Sequence, residues 1–95
     1  MRIEISSSAE RDLREIRAYI GADNPGAADE VAGRIVKVFL LIRANPEIGR
    51  PSESGSTREW SVPGLPYVIP YKVRSGVLYI LRIYHTRRLR PPNWQ

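Results

Sequence analysis

The stretch that decides the fold is Pro66-Tyr67-Val68-Ile69-Pro70-Tyr71-Lys72-Val73, followed across Ser75-Gly76 by Val77-Leu78-Tyr79-Ile80-Leu81-Arg82-Ile83-Tyr84-His85. Both halves are rich in β-branched and aromatic residues, and the Ser-Gly pair between them is a turn signal, so the segment reads as a β-hairpin. Pro70 constrains that reading. It has no N–H to give a ladder, so the strand must be bulged there or turn that position away from its neighbour. The hairpin runs on into Thr86-Arg87-Arg88 and so delivers a basic, histidine-bearing tail.

The charge pattern singles out the same end. Residues 60–95 hold six cations and no anion, whereas residues 1–59 hold nine cations and ten anions, so the whole +5 formal charge lies in the C-terminal part. Such asymmetry points to an anionic partner, either nucleic acid or an acidic protein surface.

Upstream of the hairpin, Arg58-Glu59-Trp60-Ser61-Val62 is strand-like and Pro63-Gly64 is a turn. Residues 45–57 include Pro46, Gly49, Pro51, Gly55 and four Ser or Thr, which predicts an irregular loop with more freedom to move than the rest of the chain. Before it the period is helical. Asn24-Pro25 supplies an N-cap and an N1 proline, and Ala28, Val31, Ala32, Ile35, Val38, Phe39 and Ile42 keep one face until Asn45-Pro46. An earlier helix carries Ala9, Leu13, Ile16 and Ile20 on one stripe, with Ser7 and Glu10 as a capping box and Gly21 at its end. The connection between the helices is short, so they form an antiparallel αα-hairpin. Arg2-Ile3-Glu4-Ile5 alternates and predicts a first strand.

The order β-α-α-β-β-β predicts a single α+β domain over residues 1–95, with the helical hairpin packed on a small, mostly antiparallel sheet. Several function classes drop out on composition. The chain has no cysteine and one histidine, which excludes disulfides, thiol nucleophiles and multi-histidine metal centres; no metal or other cofactor is expected. Its longest apolar run, Val38-Phe39-Leu40-Leu41-Ile42, is far below the ~20 residues of a membrane span, and the N-terminus has no apolar signal core. A cytoplasmic protein without membrane association is expected. On the first helix Arg11, Arg14 and Arg17 are balanced by Glu10, Asp12 and Glu15, an arrangement that reads as ordinary helix-surface pairing. With no recognition-helix signature, direct nucleic-acid binding by this chain alone is not expected.

The ordered set Ser7-Ala9-Asp12-Leu13-Ile16-Tyr19-Ile20, Asn24-Pro25-Ala27-Ala28, Pro46-Gly49-Arg50-Pro51, Arg58-Glu59, Pro66-Tyr67, Tyr71-Val73 and Ile80-Leu81-Arg82-Ile83-His85-Arg87-Arg88 covers nearly the whole chain. It resembles the ParE/RelE toxin superfamily of type II toxin–antitoxin modules, and within it the ParE branch, also known as plasmid stabilisation proteins. The resemblance implies a growth-arresting toxin that acts by binding DNA gyrase, without catalytic chemistry of its own, and that forms a hetero-oligomer with a ParD-like antitoxin. The alternative within the superfamily is a RelE-like, ribosome-dependent mRNA endonuclease.

RNA cleavage needs a group to activate the 2′-OH, a cation for the charged phosphorane and an acid for the leaving oxygen. The nucleases of the superfamily place an arginine after the aromatic that opens the penultimate strand; here Val68 stands at that position. If this chain is a nuclease, His85, Arg82 and Arg87 are the residues to carry it. If it is a binder, the target surface is expected from Arg58, Trp60, Tyr84, His85, Arg87, Arg88, Arg90 and Trp94, because arginine beside exposed aromatics is the composition of binding hot spots. Val36, Leu40 and Leu41 fall off the main stripe of the second helix and are expected to form an exposed apolar strip for the antitoxin.

Overall fold

The computed structural model describes residues 1–87. The chain opens with β1 (Arg2–Ile5), forms helices α1 (Ser7–Gly21) and α2 (Pro25–Ala44), and continues through β2 (Arg50–Pro51), β3 (Arg58–Ser61), β4 (Tyr67–Arg74), β5 (Val77–Ile80) and β6 (Tyr84–His85). The sheet order is β1-β5-β4-β3-β2, with β6 also on β4. β1 runs parallel to β5; every other pair is antiparallel, as the expected α+β architecture requires.

Helix α2 starts where Asn24 Oδ1 accepts the Ala27 N–H at 3.0 Å, with Pro25 preset for the first turn. Helix α1 starts one residue earlier than the Ser7–Glu10 box implied. Its N-cap is Ser6, whose Oγ accepts the Ala9 N–H at 3.0 Å. The shift has a cause in the sheet: the Ser6 N–H still donates to the Ile80 carbonyl at 3.0 Å, so this one residue ends the β1 ladder and opens the helix. Between the layers, Ala9, Ile35, Phe39 and Ile42 meet Ile69, Tyr71, Leu78 and Ile80, all essentially inaccessible, with Leu13, Ile16 and Val31 packed against them.

Three expectations need correction. Residues 45–57 are not wholly irregular, because Arg50 and Pro51 pair with Glu59 and Arg58 to add β2 at the sheet edge. The loop before β2 is also anchored. Tyr71 Oη accepts the Gly49 N–H and donates to the Pro46 carbonyl, both at 2.8 Å, while Arg58 Nη1 donates to the carbonyls of Glu47 and Gly49. Second, the first-helix charges are not paired along that helix: Arg17 reaches Asp29 on α2, and Asp12 reaches Arg82 beyond β5.

The third correction is the last strand, which is broken in two. β5 pairs Tyr71 with Ile80 and β6 pairs Val68 with Tyr84, so Ile69 and Pro70 face Leu81, Arg82 and Ile83. Three residues against two make a bulge. Pro70 accepts the Leu81 N–H at 3.0 Å, and the donor it lacks would have faced the same neighbour, so the ladder fails where proline cannot supply it. The β4–β5 turn is the two-residue kind: Ser75 and Gly76 both have positive φ, 51° and 73°, as the hairpin's twist demands.

Candidate functional site

The break between β5 and β6 frees backbone groups from the sheet, and α1 supplies their partners. Ser6 Oγ donates to the Leu81 carbonyl at 2.8 Å, and Asp12 Oδ2 accepts the Ile83 N–H at 2.9 Å. Arg82 then folds back on α1. Its Nε and Nη2 donate to the two oxygens of the same Asp12 carboxylate at 2.8 and 3.0 Å, a bidentate pair whose side chains are 30% and 13% exposed. The guanidinium also lies 4.6 Å from the centre of the Tyr84 ring, and Nη1 donates to Tyr84 Oη at 3.1 Å. The hydrogen bonds to Asp12 are the main cause that raises the Arg82 pKa above its ordinary value, and they hold this cation against α1.

Beyond the clamp, β6 carries His85 and the chain turns. His85 stands edge-on to Tyr67, with ring centres 5.6 Å apart and planes at 90°, and its Nδ1 accepts the Arg87 N–H at 3.1 Å. The Thr86 N–H donates to the Pro66 carbonyl at 2.8 Å, tying the turn to the start of β4. Beside these residues lies a cleft of about 340 Å³ between α1 and β6, lined by Glu15, Ile16, Tyr19, Tyr67, His85 and Arg87 among others. Tyr19, off the apolar stripe of α1, is 82% exposed there.

Of the residues expected at the target surface, the described ones do not all lie together. His85 and Arg87 share the cleft, and Arg87 is exposed with no ion pair among the described residues. Tyr84 was expected as an exposed aromatic but is buried, 5% exposed, because the bulge turns it under the Arg82 guanidinium. Arg58 is occupied by the loop carbonyls on the far side of β4. Trp60 packs at the margin of the core with its indole N–H buried and without an acceptor among the described residues. Arg88, Arg90 and Trp94 lie outside the described residues. The three residues proposed for nuclease chemistry are neighbours in sequence, yet Arg82 is turned to α1 and Val68 is buried between Ser61 and Tyr84.

A second surface lies on α2. Val36, Leu40 and Leu41 are all exposed large apolar residues, at 42%, 47% and 38%. Only Leu41 lines the adjacent groove of about 730 Å³, which runs between α2 and the β3–β4 turn. Val38, Val62 and Pro63 give the groove its apolar floor, Asp29 and Glu30 mark one end, and Arg34, hydrogen-bonded to the Pro63 carbonyl, and Lys37 follow. Ser6 and Asp12 escaped notice as functional positions because their partners are 75 and 70 residues away and no local pattern marks them.

Comparison with known proteins gives a consistent result. Residues 3–90 match the family model described as ParE toxin of the type II toxin–antitoxin system, parDE. The chain is 39% identical over 90 residues to the candidate toxin Y4kP of Sinorhizobium fredii (strain NBRC 101917 / NGR234), covering 95% of this chain and 93% of that protein. It is 40% identical over 78 residues to Toxin RelE2 of Caulobacter vibrioides (strain ATCC 19089 / CIP 103742 / CB 15), covering 82% and 86%. Among solved structures it resembles a chain of the chromosomal ParDE system from P. aeruginosa, with a TM-score of 0.80, 28% identity and coverage of 92% of this chain and 97% of that one.

Proposed function

The chain belongs to the ParE toxin family of type II toxin–antitoxin systems, and from that premise we propose that it arrests growth by binding DNA gyrase, without catalysis of its own, and is held inactive by a cognate ParD-like antitoxin. The observation that carries the choice of binding over chemistry is the commitment of the inner cations. Arg82 is engaged by Asp12 and Tyr84, Arg58 by backbone carbonyls, and the position of the nuclease arginine is a buried valine. Phosphorane stabilisation needs a cation aimed at the reacting group. Among the described residues of the cleft, Arg87 is the cation left free, and one exposed arginine beside a histidine suits docking on an acidic surface better than in-line phosphoryl chemistry.

The antitoxin is assigned to α2. Its exposed Leu41 and the groove beside it offer an apolar floor flanked by charges, which fits an amphipathic helix laid along it, and the chain then works as a hetero-oligomer in the cytoplasm. No helix of the described residues is long and apolar enough to cross a membrane. A second reading, ribosome-dependent mRNA cleavage through His85, Arg82 and Arg87, draws on the similarity to Toxin RelE2. Gyrase supercoiling and ribosome-programmed mRNA cleavage, assayed side by side with one purified preparation, separate the two. Inhibition of supercoiling with intact mRNA is the expected result, and cut mRNA with unaffected gyrase reverses the assignment.

A further inference from the structure

We propose that Asp12 is a positioning residue for the target-facing end of the chain: through Arg82 and the Ile83 N–H it sets where β6 leaves the sheet, and so where His85 and Arg87 stand. The inference rests on reading that end as the surface that meets the target. Leu81, Arg82 and Ile83 keep only the Leu81 N–H bond to Pro70 on β4, and a segment so thinly tied to the sheet has many backbone solutions. One carboxylate selects among them. It accepts both arms of the Arg82 fork and the Ile83 N–H, three donors from two consecutive residues, which fixes orientation as well as position.

Only Tyr84 separates Ile83 from His85, and Arg82 clasps that residue too, by its ring face and its hydroxyl. A displacement at Ile83 therefore passes directly into His85, into the Nδ1 that receives the Arg87 N–H, and into the Thr86 bond to Pro66. Ser6 holds the other end of the break through the Leu81 carbonyl, so losing Asp12 leaves β5 anchored while β6 keeps only its two-residue pairing with β4 and the Thr86 bond to Pro66. Recognition surfaces need supporting residues that hold them to within ~0.5 Å, and Asp12 with Arg82 has that place here.

The test uses the full-length chain carrying Asp12→Asn, which keeps an acceptor for Ile83 but removes the charge, with Arg82→Lys as a milder companion that keeps the charge and loses the fork. Well below the melting temperature, hydrogen exchange at the Thr86 amide and the His85 ring proton shifts report β6, while antitoxin affinity reports the fold. Thr86 exchange at least tenfold faster, displaced His85 shifts, gyrase inhibition weakened at least tenfold and antitoxin affinity within twofold of wild type are expected for Asp12→Asn, with a smaller change in the same direction for Arg82→Lys. A role confined to stability would lower the melting temperature and leave Thr86 and His85 as in wild type, and that outcome overturns the proposal. So does wild-type inhibition by a variant whose His85 and Thr86 signals have moved. If gyrase is the wrong target, the wild-type chain itself leaves supercoiling untouched; growth arrest then replaces it as the activity readout, with the same expectations.

Discussion

Gly49 and Tyr71 occupy one another's space so closely that a β-carbon on Gly49 would lie 2.7 Å from Tyr71 Cε1 and 2.9 Å from the Glu59 carbonyl oxygen. The backbone of Gly49 needs no unusual conformation, so the requirement is steric. Tyr71 cannot retreat, since it is fully buried and bonded at its hydroxyl to Gly49 and Pro46. Gly49→Ala should therefore overpack the site at a cost of about 2 kcal/mol, or roughly 10 °C in melting temperature for a domain of this size. Calorimetry checks this, and an unchanged midpoint would mean that the loop carrying Gly49 moves away freely.

The same tyrosine makes stability depend on alkaline pH. Burial pushes the Tyr71 phenol above its ordinary value of 10.0, against the smaller opposing effects of the Gly49 N–H and Arg58. A group whose folded pKa is raised holds its proton more tightly folded than unfolded, so its contribution is complete below pH 10 and is lost as pH rises past it. Denaturant midpoints should fall above pH 10 in the wild type. Tyr71→Phe, less stable at neutral pH for want of two hydrogen bonds, should show a flatter decline over the same range; parallel declines would remove Tyr71 as the cause.

On α2, exposure alone does not rank the three apolar residues, but the groove does. Leu41 lines it and Val36 and Leu40 do not. Leu41→Glu should weaken antitoxin binding by about 2 kcal/mol, roughly thirtyfold, while Val36→Glu costs less than half of that. Glutamate is a good helix former, so the fold should persist. Titration calorimetry measures both, and equal effects would place the antitoxin over the whole outer face of α2 instead of in the groove.

At the opposite end, Arg87 is exposed beside His85, and Arg88 follows it in the sequence. If these cations dock on an acidic surface, attraction extends about a Debye length, ~8 Å at physiological salt, and inhibition should weaken as salt rises. Arg87→Glu with Arg88→Glu should abolish gyrase inhibition and spare antitoxin binding. Wild-type inhibition by this variant across a salt series would make the basic end a merely solvated face.

What was legible beforehand divides along the range of the interactions involved. The two helices could be read because their stripes repeat every three or four residues, and the β4–β5 hairpin because Ser75-Gly76 supplies its two positive φ angles. Pro70 announced trouble in the last strand, yet the form of the trouble depended on Ser6 and Asp12, whose reach across 75 and 71 positions leaves no periodic trace. Arg82 and Tyr84 were legible as strand residues on one face, but not the burial of Tyr84 or the turn of Arg82 to Asp12, which lies 70 positions away. Arg50-Pro51 was hidden for a different reason: two residues carry no period, and only the register of β3 makes them a strand.

The parallel pairing of β1 with β5 also decides when this protein can be finished. Arg2 lies against Val77 and Ile5 against Ile80, so the first strand off the ribosome has no sheet to join until four-fifths of the chain has been made. The helical hairpin can close early on local contacts, while closure of the long loop between the sheet's ends sets the pace of the final step. A nascent chain stopped before residue 77 is thus left with an unpaired first strand and without Leu78, Ile80 and Ile83 of its core. Helix α2 is thus complete in the emerging chain well before β5 and β6, and its outer face reaches solvent ahead of the end that carries His85 and Arg87.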